Sequence, residues 1–98
     1  PYSAAKSALI AMTKNVALQY NMTQIRCNAV CPGSTPTEIE NEIEKFHHDF
    51  AEHCFKGLNM DVPKCNPVDQ ANAILYFASD EAKSTTGQVM VIDHGEAL

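Results

Sequence analysis

Ninety-eight residues allow one small domain at most, and 45% hydrophobic content is ordinary for a globular chain. Seven basic against twelve acidic residues give a net charge of −5 without a basic cluster, which argues against nucleic acid or an anionic membrane as partner. No apolar run approaches the roughly 20 residues of a membrane span, and no secretory leader is recognisable.

Residues 2 to 20 contain neither Gly nor Pro, and Ala5, Leu9, Met12, Val16 and Tyr20 recur at helical spacing. This predicts a helix with an apolar stripe. Tyr2 and Lys6 stand four residues apart at its start, where Cβ atoms are about 5–6 Å from each other. A cation about 6.5 Å from a phenol, at an effective dielectric near 20, favours the phenolate by roughly 2.5 kcal/mol. That is nearly two pK units, enough to turn a weak base into a useful acid/base group. By itself Tyr-x-x-x-Lys also suits a solvated helix edge, with an aromatic ring beneath a lysine stem.

Asn21 to Gln24 is a polar break, and Ile25 to Cys31 reads as a short buried strand stopped by Pro32-Gly33. Ser34 to Thr37 is a loop. Glu38 to Phe55 is helix-like, with Ile39, Ile43, Phe46, Phe50 and Cys54 on one face, and 56 to 64 is irregular. Asn66-Pro67-Val68-Asp69 is a helix start, with an N-cap amide, proline at the first position and an acid in the first turn. That helix runs to Ser79-Asp80. Thr85-Thr86-Gly87 is a turn, and Gln88 to Asp93 is the last strand.

Helix, strand, helix pair and strand form a crossover unit of a parallel sheet, which needs cover on both faces and further strands beside it. Cys27 and Cys31, four residues apart on a strand, are about 13 Å apart and cannot bridge each other. With no C-x-x-C pair, the four cysteines read as reduced thiols of a cytoplasmic protein. A metal site drawing on His47, His48 and Cys54, with Asp49, His53 and Cys65 nearby, matches no standard zinc spacing, so no metal is assigned.

In order along the chain, Tyr2-Ser3-Ala4-Ala5-Lys6, the helix after it, Ile25-Arg26-Cys27-Asn28-Ala29-Val30-Cys31-Pro32-Gly33, Phe77-Ala78-Ser79-Asp80 and Thr86-Gly87-Gln88-Val89-Met90-Val91-Ile92-Asp93 carry a resemblance. The chain resembles the C-terminal part of a classical short-chain dehydrogenase/reductase, matching least from about Glu38 to Lys64. The resemblance implies an α/β fold, the C-terminal portion of a doubly wound parallel-sheet Rossmann domain, and a parent enzyme that interconverts a secondary alcohol and a carbonyl with NAD or NADP. It implies Tyr2 as the acid/base and Lys6 as the residue that lowers its pKa and hydrogen-bonds the nicotinamide ribose. Pro32 and Gly33 correspond to the turn beside the nicotinamide, and Thr37 to a threonine on the coenzyme; the bland alternative for Thr37 is a loop hydroxyl or an N-cap. Residues 38 to 64 correspond to a substrate lid.

The same resemblance implies a homo-oligomer, dimer or tetramer, acting on a small alcohol or carbonyl compound. His94 stands where the family often has glycine, and Lys64-Cys65-Asn66 where many members have an arginine and a glycine before the proline. The glycine-rich turn that receives the pyrophosphate has no counterpart in this sequence, where Gly33, Gly57, Gly87 and Gly95 lie far apart, and the family's catalytic serine and asparagine are absent. The chain alone is therefore expected to be an inactive fragment. Alternatives from other classes are a non-catalytic chain used as a binding or assembly module, and a metal-binding module.

Overall fold

The computed structural model describes residues 1–37 and 56–98. Helix α1 spans Tyr2–Gln19, strand β1 Ala29–Pro32, helix α2 Pro67–Ala78 and strand β2 Val89–Ile92, with a 3-10 turn at Asp80–Ala82 between the last two. The helix expected over Glu38 to Phe55 and the His47, His48, Asp49, His53 and Cys54 group lie outside the described residues, as does most of the expected lid.

The uninterrupted run of good helix formers yields α1 within one residue of its expected end. Tyr20 closes it by donating its backbone N–H to the Val16 carbonyl at 3.1 Å. The break that follows is built by Thr23, whose hydroxyl donates to the Tyr20 carbonyl at 2.6 Å and accepts from the Ile25 N–H at 3.1 Å. The covered face of α1 is Ile10, Thr13, Val16 and Ala17 rather than the expected stripe, on which Leu9 and Met12 are exposed. Ala17 is the close contact: a Cβ built on Gly87 would lie 3.3 Å from the Ala17 Cβ, and Gly87 has φ +69°. Glycine there serves both the turn and the approach of the helix.

Strands β1 and β2 pair in parallel, Ala29 with Val89 through Pro32 with Ile92. The ladder starts four residues later than the Ile25 to Cys31 expectation. The reason lies in side chains that take the backbone's place. Asn28 donates Nδ2 to the Thr85 carbonyl at 2.8 Å and accepts the Gln88 N–H on Oδ1 at 3.0 Å, while the Cys27 N–H donates to the Thr86 hydroxyl at 3.1 Å. Residues 27 and 28 therefore grip the 85–88 turn and leave Ile25 exposed.

Helix α2 begins as expected, with Asn66 as N-cap and proline at N1. The Asn66 N–H donates to Asp69 Oδ2 at 2.8 Å, one arm of a capping box that also sets a negative charge at the positive end of the helix. At the other end Arg26 donates Nη1 to the Phe77 carbonyl at 2.6 Å and Nη2 to the Ser79 carbonyl at 3.3 Å. A guanidinium thus meets the Phe77 carbonyl in the last turn of α2 and the carbonyl of its C-cap residue Ser79.

The buried apolar residues among those described are all small: Ala17, Cys65, Ala73 and Ala82. Leu9, Met12, Leu18, Ile74, Leu75 and Val91 are more than half exposed. Burying a side chain of that size contributes about 1.5–3 kcal/mol, so these faces suit cover by neighbouring layers, as in a doubly wound sheet.

Candidate active site

The carboxyl ends of β1 and β2 lie side by side, since Pro32 pairs with Ile92. In open α/β sheets this end is where ligands bind. Gly33 extends the ladder by donating its N–H to the Ile92 carbonyl at 2.8 Å. A Cβ on Gly33 would stand 2.5 Å from the Asp93 Cβ and 2.6 Å from its Cα, so only glycine lets the chain turn there.

After Gly33, Ser34 is held on three sides. Its N–H donates to Glu96 Oε2 at 2.8 Å, its hydroxyl donates to Glu96 Oε1, and its carbonyl accepts the Cys65 N–H at 2.9 Å. Glu96 is 5% exposed, the one buried charged residue among those described. The strand end opposite is a tight turn in which Asp93 accepts the Gly95 N–H on Oδ1 at 2.8 Å and the Ala97 N–H on Oδ2 at 3.1 Å. His94 adopts φ +54° and Gly95 φ +79°, so the histidine occupies the left-handed conformation its glycine-like position requires.

The Ile92 carbonyl gathers two further donors, Gln70 Nε2 at 3.0 Å and the Cys65 thiol at 3.3 Å. Burial, followed by the charges of Asp69, Asp93 and Glu96, pushes the Cys65 thiol above the ordinary 9.0, which keeps it protonated as a donor. An open depression of about 430 Å³ lies beside this end, lined by Cys65, Asp69, Ile92, Asp93 and His94 among others.

Of the expected site residues, Pro32 and Gly33 are brought to the strand ends, and Thr37 is exposed in the loop that follows. Tyr2 and Lys6 belong to the first turns of α1, on a continuous helical backbone. Ser34, Cys65 and Glu96 had no signal in the sequence as partners of this turn. Among the described residues no group of three or more His, Cys, Asp or Glu is placed to hold a metal ion, and no helix is long and apolar enough to cross a membrane.

A family model described as enoyl-(acyl carrier protein) reductase matches residues 1–96. The chain is 41% identical over 99 residues to the 7alpha-hydroxysteroid dehydrogenase of Clostridium sardiniense, a match covering 99% of this chain and 36% of that protein. The chain belongs to the short-chain dehydrogenase/reductase family.

Other members extend the likeness. The 3beta-hydroxysteroid dehydrogenase 2 of Eggerthella lenta is 35% identical over 96% of this chain and 36% of its own length. The chain thus spans about a third of the relatives it matches. An actinorhodin polyketide ketoreductase solved with NADPH superposes with a TM-score of 0.83 at 25% identity, over 99% of this chain and 40% of that one. A 3-oxoacyl-[acyl-carrier protein] reductase of Brucella melitensis with bound NAD gives 0.74 at 30% identity, over 99% and 33%. Gly33 and Asp93 follow directly on the paired carboxyl ends of β1 and β2.

Proposed function

We propose that the complete protein carrying this chain is a nicotinamide-dependent oxidoreductase that interconverts a secondary alcohol and a carbonyl, with Tyr2 as acid/base. The observation that carries this reading is the unbroken helix Tyr2–Gln19 in a short-chain dehydrogenase/reductase, which sets the backbones of Tyr2 and Lys6 one turn apart.

The residues present suit the nicotinamide end of a coenzyme and not its pyrophosphate, because Gly33 is a lone glycine after its strand and, among the described residues, 34–37 behind it are not helical. When bound, the coenzyme supplies or accepts the hydride. In this reading the Tyr2 hydroxyl gives a proton to the substrate oxygen in reduction and takes it back in oxidation. Lys6 favours the phenolate and binds the nicotinamide ribose. Pro32, Gly33 and Thr37 line the nicotinamide end. The helix rises about 16 Å between Ala17, which meets the Gly87 turn, and Lys6. Four-residue strands are about 10–13 Å long. In this reading α1 runs antiparallel to β1, which would bring Lys6 level with the strand ends.

Hydroxysteroids are the first substrates to try, given the two hydroxysteroid dehydrogenases among the relatives. The test is coenzyme reduction by the complete protein with NAD and NADP against 7α- and 3β-hydroxysteroids and simpler secondary alcohols. Turnover that survives Tyr2→Phe at the wild-type rate would overturn the reading.

A further inference from the structure

We infer that Glu96 is a positioning residue for the coenzyme turn, holding Gly33 and Ser34 in the shape that receives the nicotinamide end; this rests on the oxidoreductase reading above. A glutamate side chain is ordinarily solvated. Glu96 is instead 5% exposed, and both of its oxygens are spent on one residue of the turn. Burying a carboxylate costs free energy unless donors satisfy it, and here a backbone amide and a hydroxyl of Ser34 do so in fixed directions.

The arrangement is rigid on every side. The Glu96 N–H donates to the Asp93 carbonyl at 3.0 Å, and the Glu96 carbonyl accepts the Asn59 N–H at 2.8 Å, so its backbone is tied at both ends. A Cβ on Gly33 would come within 3.0 Å of Glu96 Oε2, so the carboxylate packs directly against the turn. The Ser34 carbonyl is fixed separately by Cys65. Without Glu96 the Ser34 N–H and hydroxyl lose their acceptor together, while the Cys65 contact and the ladder bond from Gly33 remain. The consequence is a loosened turn on an intact sheet. Such a fault weakens coenzyme binding more than it slows the proton transfer assigned to Tyr2.

The experiment uses the complete protein with Glu96→Gln, Glu96→Ala, Ser34→Ala and the pair Glu96→Ala/Ser34→Ala. Arg26→Met serves as a control that damages the fold at the far end of α2. Coenzyme Kd, the KM against kcat split, Tm and hydrogen exchange at the Ser34 amide are measured. Glu96→Ala is expected to raise coenzyme Kd about tenfold and to speed exchange at Ser34, with kcat changed less than threefold. Glu96→Gln retains one acceptor and falls between it and the wild type. The double variant resembles Glu96→Ala alone, because Ser34→Ala removes only the hydroxyl bond that Glu96→Ala has already removed. Arg26→Met lowers Tm and leaves Kd unchanged.

Glu96 variants that lose Tm as the control does, with Kd unaltered, overturn the inference and leave the oxidoreductase reading standing. A folded wild-type protein that binds neither NADH nor NADPH overturns that reading itself. Should Glu96→Ala fail to fold, Glu96→Gln and Ser34→Ala give the same decision.

Discussion

Gly33 and Asp93 touch across the end of the sheet: a Cβ on the glycine would lie 2.5 Å from the aspartate Cβ. Real Cβ atoms do not approach that closely, and the Asp93 backbone cannot yield, because its side chain holds the N–H groups of Gly95 and Ala97. Gly33→Ala must therefore separate the two strand ends. Overpacking of this kind costs about 1–3 kcal/mol. The expected result is a lowered Tm together with weaker coenzyme binding in the complete protein. An alanine variant as stable as the wild type would show that the strand ends are not fixed against each other.

Under the proposed acid/base role of Tyr2, Tyr2→Phe in the complete protein takes away the proton donor, and kcat is expected to fall about 10²-fold or more. Lys6→Ala is expected to shift the appearance of activity to higher pH and to raise coenzyme Kd. Steady-state kinetics across a pH series separates the two effects. Loss of coenzyme affinity in Tyr2→Phe with kcat preserved would make the tyrosine a binding residue only.

What the sequence foretold depends on how far apart the interacting residues lie. Helix α1 and the start of α2 were legible because their causes are local: a run of helix formers in one case, Asn66, Pro67 and Asp69 within one turn in the other. The parallel crossover followed from their order. The start of β1 was misjudged because Asn28 and Cys27 bond to residues 57 to 60 positions away, and alternation cannot reveal a side chain that replaces the ladder. Glu96 escaped for the same reason, its partner Ser34 being 62 positions earlier. The buried face of α1 was misplaced because apolar residues occupy two sides of it, and local spacing does not say which side a neighbour covers.

Arg26 ties the segment before β1 to the end of α2, and its guanidinium meets the Phe77 and Ser79 carbonyls in a half-buried place. Charge-assisted hydrogen bonds of this type contribute about 1.5–3 kcal/mol. Arg26→Met is expected to lower stability by about 1–2 kcal/mol, since the methionine stem still packs and water reaches part of the site. Denaturant unfolding gives the value. A change below about 0.3 kcal/mol would mean that water replaces the guanidinium at no cost.

The Cys65 thiol sets a dependence on alkaline pH whose sign follows from its environment. Its folded-state pKa is raised, first by burial and then by the charges of Asp69, Asp93 and Glu96. Below 9.0 both the folded and the unfolded chain hold the proton, and the contribution to stability is complete. As pH rises past 9.0 the unfolded chain releases the proton first, so stability falls until the folded thiol titrates as well. Cys65→Ser is expected to flatten that alkaline decline. At pH 8, Cys65 should also alkylate more slowly than the half-buried Cys27 and Cys31, as mass spectrometry of the labelled thiols would record. Fastest labelling at Cys65 would contradict its enclosure.

The 98-residue chain made by itself is expected to have no dehydrogenase activity and no measurable affinity for NADH or NADPH. A pyrophosphate needs a glycine-rich turn leading into a helix N-terminus, and the four glycines of this sequence stand far apart. In the described residues β1 and β2 pair only with each other, which leaves one edge of each unpaired, and Val91, Leu9 and Met12 are exposed. Unpaired edges and uncovered apolar side chains favour self-association. Titrating the purified chain into NADH while following nicotinamide fluorescence, with its mass in solution measured alongside, tests both points. Saturable micromolar binding by a folded monomer would show that this segment is a self-sufficient coenzyme-binding unit.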